Sequence, residues 1–508
     1  MMSFQGSEAA DESAFDESAK RFWTPGRILA LLIGAAVLLR VAATLTRQMV
    51  MADEVAYVRI AENLAAGNGF VDVTGGGTIY APLLPMLMAG LGFLLRDFIL
   101  SGYIVVIIFG GLLLIPVYLL GRDLIGERVG LMAAALMAVQ PFFISTSEFI
   151  YSEVLYIFFL LMSLFFGWHV LKEQRLKCGA AAGICLGLAY LAQPSTLYYL
   201  IGLLGLMAAA AVRTRGLARM AGAAGALLFA FLLFAAPYVT FLHAELGQWT
   251  FTDKSMGGGL HSATHNIRRE DVAASERLLM SLTAEEKEPV VLALERDKTT
   301  PFGFLLGNPG AAARNFLRQS FYFHESILSR VFPLWLLPLL GLGLFTREWT
   351  RQRAAAVGYL ALMISPMLLV LAIYAHARFF MPYVSLAMIM VAAGWMRLED
   401  WGRQTARCSF RGAWRERLAG WAPWLVGVAV LMPLLFYSGL MLKQRSYETQ
   451  YKEAGLWLKE HGGEGSRIMD RTYSAAYYAG GMFVLLPYAD YEDMTAYARK
   501  RDVDYLIV

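Results

Sequence analysis

Long apolar runs separated by short charged stretches set the pattern of this chain. Eleven of them approach the ~20 residues that cross a bilayer core. They lie at about 27–46, 100–121, 129–146, 149–171, 178–193, 195–212, 220–241, 327–346, 354–374, 380–396 and 420–441. This pattern predicts a mainly α, polytopic membrane protein. A further run, APLLPMLMAGLGFLLR at 81–96, is short and carries Pro82 and Pro85 at its start. It predicts a helix lying in the membrane interface rather than crossing it. Residues 54–66 predict a second interfacial helix, with Val55, Val58, Ala61 and Ala65 as its apolar face and Glu62 on the polar side. Two polar regions are large, 243–326 and 443–508. In the second, SRIMDRT, FVLLPY and VDYLIV read as short strands between helical segments, which predicts a small α/β domain. Residues 1–20 are polar and acidic and predict a disordered tail, not a signal peptide. The expected organisation is therefore a tail at 1–20, a membrane domain at 21–442 and an α/β domain at 443–508.

Charge placement turns this into a topology. Only 17% of residues are charged, where a soluble protein carries about 25%, and mean hydropathy is +0.50. The net charge of +4 is too small to indicate an acidic partner. The positions of the cations say more. Lys20, Arg21 and Arg27 precede the first span. Arg122 and Arg128, then Lys172, Arg175 and Lys177, then Arg213, Arg215 and Arg219 fill later short loops. Arg347, Arg351 and Arg353, and the series from Arg397 to Arg417, fill two more. All fall on one side if the N-terminus is cytoplasmic and 81–96 does not cross, as the positive-inside rule requires. The loop 47–99, the loop 243–326 and the C-terminal domain then lie outside. Cys178, Cys185 and Cys408 have no paired spacing, so no disulfide framework is expected.

Acids and cations converge on that outer side. Asp53 and Glu54 follow the first span directly. As structural residues they would start a helix, Asp53 as its N-cap and Glu54 in its first turn, where acids suit the dipole. As functional residues they would supply a general base at the lipid–water boundary. Glu153 stands at the outer end of a span that is otherwise apolar down to Lys172. Ionisable groups in spans are costly and usually functional. Glu148 lies nearer the water and reads as a solvated edge residue. Arg40, in the outer half of the first span, either snorkels to the interface or binds an anion. YAHARFFMPY at 374–383 brings His376 and Arg378 to the same face. A cation in a short outer loop, against the positive-inside trend, is better explained by a bound anion such as phosphate. His261 and His265 have a metal-like spacing, but a metal site needs three or more ligands. There is no phosphate-loop or dinucleotide motif, no nucleophile elbow and no basic repeat suited to nucleic acid.

The order of these features is specific. An Arg in the first span, then DEVAYVRIAENLAAGNGF, TIYAPLLPML and YSEVLY, resembles the bacterial GT-C glycosyltransferases. These are the membrane enzymes related to protein O-mannosyltransferases and to the lipid A aminoarabinose transferase. The likeness extends over most of the chain, through ARFFMPY to the α/β tail. It implies a GT-C fold in the bacterial inner membrane, with the site and C-terminus periplasmic. It also implies transfer of a sugar from a polyprenyl-phosphate donor to an extracytoplasmic lipid, glycan or protein, with inversion. By resemblance Asp53 is the catalytic acid of the first outer loop and Glu153 a second acid, with Glu54 beside them. The expected substrate-binding residues are Arg40, Tyr57, Tyr80, His376, Arg378 and Tyr383. No nucleotide or redox cofactor is required, and a divalent metal stays open. The sequence departs from the aminoarabinose branch at Ile79, Tyr80 and Ala81, where that branch has charged residues. This argues against the same substrate and against a metal site on that loop. The main rival is a transporter or flippase of a lipid-linked sugar. Against it stands the lack of paired repeats and of broken helices at the midplane. A non-catalytic lipid-binding scaffold is a third possibility.

Overall fold

A computed structural model describes residues 23–45, 47–214, 216–253, 277–284, 287–292, 303, 307–345, 349–373, 375–409, 421, 427–440 and 449–507. The N-terminal tail, His261 and His265 lie outside these residues. The first described helix is α1 (Pro25–Thr44), whose first turn is capped by the Thr24 side chain. Then come α2 (Asp53–Ala66), α3 (Leu83–Leu95), α4 (Phe98–Leu112) and α5 (Leu114–Leu124). The next helices are α6 (Glu127–Ala138), α7 (Pro141–Thr146), α8 (Glu153–Glu173), α9 (Leu176–Ala192), α10 (Thr196–Thr214) and α11 (Leu217–Leu246). After the loop come α12 (Pro309–Tyr322), α13 (Leu337–Leu344), α14 (Arg351–Ile364), α15 (Pro366–Ile373), α16 (Met381–Ser409) and α17 (Gly427–Leu440).

Seven helical spans among the described residues are long and apolar enough to cross a membrane, with α4 and α5 forming one and α14 and α15 another. Of the other four runs read from hydropathy, two are broken and two give helices of fewer than 18 described residues. The run 129–146 splits into α6 and α7, because Gln140 precedes Pro141 and is driven out of the helical region, to ψ 119°. The Gln140 side chain repairs the break. It accepts from Phe143 N at 2.9 Å and donates to Val331 O at 2.7 Å. The run 327–346 bends by 88° between Val331 and Leu334. Phe332, just before Pro333, is extended there for the same reason. α9 has 17 residues, and the last run contributes Gly427–Leu440. The segments expected at the interface, α2 and α3, have 14 and 13 residues and are too short to span.

The helices approach closely through small residues. A Cβ on Gly394 would lie 1.8 Å from Leu339 O, and one on Gly343 1.9 Å from Met390 O. Only glycine allows α13 and α16 to touch backbone to backbone. The C-terminal part is α/β: α18 (Gln450–Glu460), β1 (Arg467–Asp470), α19 (Tyr473–Ala479), β2 (Met482–Leu485), α20 (Tyr491–Lys500) and β3 (Tyr505–Leu506). Its parallel sheet has the order β2-β1-β3. This unit is docked on the stretch around α2. Phe483 N donates to Val73 O at 2.9 Å. Val50 N donates to the Tyr478 hydroxyl at 3.0 Å, and the Tyr477 hydroxyl donates to Glu62 at 3.1 Å.

Candidate active site

The start of α2 differs from a simple capped helix. Asp53 is its first helical residue and not its N-cap. The capping position is Ala52, at φ 47°, ψ −124°, with no side-chain cap bond. Glycine favours that region, and an alanine there stores on the order of 1–3 kcal/mol. The carboxylate that reaches back to the backbone belongs to Glu54, whose Oε2 accepts from Met51 N at 3.0 Å. Asp53 is thereby left without a capping duty.

Asp53 instead meets a cation 325 residues away in sequence. Arg378 Nη2 donates to Asp53 Oδ2 at 3.0 Å. Its Nη1 lies 3.4 Å from Oε1 of Glu153, the first residue of α8. One guanidinium thus joins two acids that come from separate parts of the chain. Arg378 sits on the 3₁₀ turn Ala377–Phe380, whose N-terminus is held by His376. The His376 Nδ1 accepts from Arg378 N at 3.3 Å, so this ring orients the turn that carries the arginine. The Asp53 side chain is 35% exposed and that of Glu153 10%, which leaves Asp53 the more open to a second molecule.

Tyrosines line the same place. The Tyr57 hydroxyl lies 3.1 Å from Ser152 Oγ, and its ring meets that of Tyr80 edge-on with centres 5.2 Å apart. Burial, then the charges of Glu153 and Asp53, raise Tyr57 far above the usual phenol range. Tyr80 is raised by burial and by Tyr473 and Asp53. Both hydroxyls are therefore neutral groups that can bond a polar substrate. Tyr383 lies buried in α16, just over one turn beyond Arg378.

Other expected members sit differently. Glu54 is fully buried. Its Oε1 accepts from Ile150 N at 2.8 Å, and its Oε2 also receives Arg47 Nη2. Burial raises the Glu54 carboxyl to about 7, against the pull of Arg47 and of the two backbone donors. Arg40 does not snorkel: it is buried, bonds Ala36 O at 3.0 Å, and fills the space left by the missing Cβ of Gly110. Its Nε and Nη2 have no partner among the described residues. Glu148 is also fully buried, not a solvated edge, because the turn after α7 folds inward. No group of three or more His, Cys, Asp or Glu could hold a metal among the described residues.

Three residues escaped the reading of the sequence. Arg47 pairs with Glu54, and its Cζ stands 4.5 Å from the centre of the Phe149 ring. Phe149 and Tyr151 stack with centres 5.0 Å apart. Arg378 Cζ lies 4.2 Å from the Tyr151 ring centre. FIY at 149–151 looks like an interfacial aromatic belt; the one signal was the alternation of two rings at spacing two beside Glu153.

Residues 80–239 match the family model described as dolichyl-phosphate-mannose-protein mannosyltransferase. No curated protein matches the chain by sequence. Among solved structures, the Archaeoglobus fulgidus oligosaccharyltransferase AglB, in complex with an inhibitory peptide and a dolichol-phosphate, is similar with a TM-score of 0.54. It is 14% identical over 96% of this chain and 69% of its own. ArnT from Cupriavidus metallidurans, bound to undecaprenyl phosphate, gives a TM-score of 0.55. It is 13% identical over 95% of this chain and 90% of its own. At these identities the shared property is the fold.

Proposed function

We propose that the chain is a GT-C glycosyltransferase, which transfers a sugar from a polyprenyl-phosphate donor to an acceptor at the extracytoplasmic face; the family-model match over 80–239 and the shared fold support this reading. The observation that carries this reading is Arg378, held between Asp53 and Glu153 at the ends of two helices and a turn. Asp53 serves as general base. It takes the proton of an acceptor hydroxyl or amine as that atom bonds the anomeric carbon. The bond from that carbon to the phosphate oxygen breaks, and its electron pair leaves on the phosphate. Arg378 meets the departing phosphate with the N–H donors its two carboxylates leave over. Glu153 holds the guanidinium fork in place and adds negative charge beside the developing oxocarbenium centre. Attack opposite the leaving phosphate inverts the anomeric carbon. Tyr57 and Tyr80 bond sugar hydroxyls. The short basic loops support a cytoplasmic N-terminus.

The test is transfer of radiolabel from polyprenyl-phosphate sugars to envelope acceptors by the purified protein in detergent. Label appearing in an acceptor, and lost in Asp53→Asn, is the expected result. Movement of the lipid-linked sugar across proteoliposomes with no transfer would replace the transferase by a transporter.

A further inference from the structure

Two adjacent acids at the start of α2 are each tied to one arginine, Asp53 to Arg378 and Glu54 to Arg47. Those two arginines cap the opposite ends of one aromatic stack. Arg47 lies over Phe149, Phe149 stacks on Tyr151 with planes 5° apart, and Tyr151 lies under Arg378. We propose that Glu54, Arg47, Phe149 and Tyr151 are positioning residues, which fix the plane of the Arg378 guanidinium for the donor phosphate. The proposal rests on the reading that Arg378 holds that phosphate.

The physical case begins with the fork. A guanidinium offers paired N–H donors in one plane, so bidentate contact with a phosphate depends on how that plane is turned. The carboxylates of Asp53 and Glu153 fix two edges of the fork. Its face is fixed by Tyr151, through the attraction of a cation to the ring. Tyr151 is in turn held by Phe149, and Phe149 by Arg47. Glu54 closes the arrangement. It binds Arg47, it accepts from the peptide of Ile150 between the two rings, and it accepts from Met51 at the start of α2. One buried carboxylate therefore sets both the stack that orients Arg378 and the turn that presents Asp53. Arg47 is also bonded through Nε to the Tyr103 hydroxyl at 3.3 Å, which ties the far end of the stack to α4.

Ordinary core packing would not need this arrangement. Two like charges flank one aromatic pair, and each has its own carboxylate. Phe149 and Tyr151 are only half-buried.

The proposal is tested with the full chain in detergent and undecaprenyl phosphate as the probe, its binding followed by titration alongside thermal unfolding. Tyr151→Leu is expected to weaken binding about tenfold, since it removes the ring beneath the cation. Tyr151→Phe keeps the ring and should bind as wild type does. Phe149→Leu, which does not touch Arg378, should weaken binding severalfold, and it decides the matter if Tyr151→Leu does not fold. A purely structural stack would lower the unfolding temperature of the leucine variants and leave the affinity of the folded fraction unchanged. That result, with Arg378→Ala still impaired, overturns the ladder and leaves the role of Arg378 standing. Equal binding by wild type and Arg378→Ala, or no binding by wild type, overturns the role of Arg378 and the ladder with it.

Discussion

Consecutive helix residues point about 100° apart, so Asp53 and Glu54 leave α2 in different directions. Asp53 reaches Arg378 and is partly open; Glu54 turns inward to Arg47 and two backbone donors. Their variants should separate cleanly. Asp53→Asn cannot accept a proton and should cut transfer by at least about a hundredfold. It should leave thermal unfolding near wild type, since Asp53 caps nothing and Arg378 keeps its pairing with Glu153. Glu54→Gln leaves the buried Arg47 charge without its partner and should cost about 3–5 kcal/mol of stability. A normal turnover in Asp53→Asn, measured with the true donor and acceptor, would remove it as the base. Arg378→Ala should impair donor use strongly and Arg378→Lys should recover only part, because a point charge cannot replace a bidentate fork. Donor titrations read that difference. Glu153 and Arg378 stood out in the sequence because each is a charge that membrane rules disfavour where it stands, and Asp53 stood out through the family resemblance. Arg47, Phe149 and Tyr151 were not. A loop cation and interfacial rings are ordinary in such proteins, and only the fold shows that they stack.

At the scale of elements, hydropathy located the apolar runs and missed that two of them are broken. Hydropathy averages over a window and does not register that the residue before a proline avoids the helical region. Pro141 and Pro333 were the readable signs, and they mark the break between α6 and α7 and the 88° bend. The contact of α13 with α16 was equally hidden, since a glycine in an apolar run has no signature of its own. It supports a sharp comparison. Gly394→Ala places a methyl 1.8 Å from Leu339 O and must push the helices apart, at a cost of about 1–3 kcal/mol. Gly358→Ala, in α14 with nothing within 4 Å, should gain roughly 0.5–1 kcal/mol from helix propensity. Thermal unfolding of the two variants checks this. Equal behaviour would mean that α13 and α16 do not pack as described.

For the whole molecule, the question is which side of the membrane carries the acids. α8 has 21 residues, so Glu153 and Glu173 stand about 30 Å apart, the thickness of a bilayer core. Near Glu173, His169 lies between it and Asp123, each at 2.8 Å, with Arg122 and Arg175 alongside. With Arg128, Lys172 and Lys177 also in the loops there, the end opposite Asp53 and Glu153 is the cation-rich end. The C-terminal unit cannot be on that side, because its bonds to Val50, Glu62 and Val73 hold it to α2. The C-terminal unit and the acids therefore share one face, whichever way the protein is inserted, and we propose from the positive-inside rule that this face is external. With Cys178, Cys185 and Cys408 replaced, Glu460→Cys should be modified by a membrane-impermeant thiol reagent in cells whose outer membrane is permeabilised. Lys177→Cys should be modified only after the inner membrane is opened. The reverse pattern would turn Asp53 and Arg378 to the cytoplasm. A sugar donor presented at the outer surface could then not reach them, and the proposed reaction would fail on topology alone.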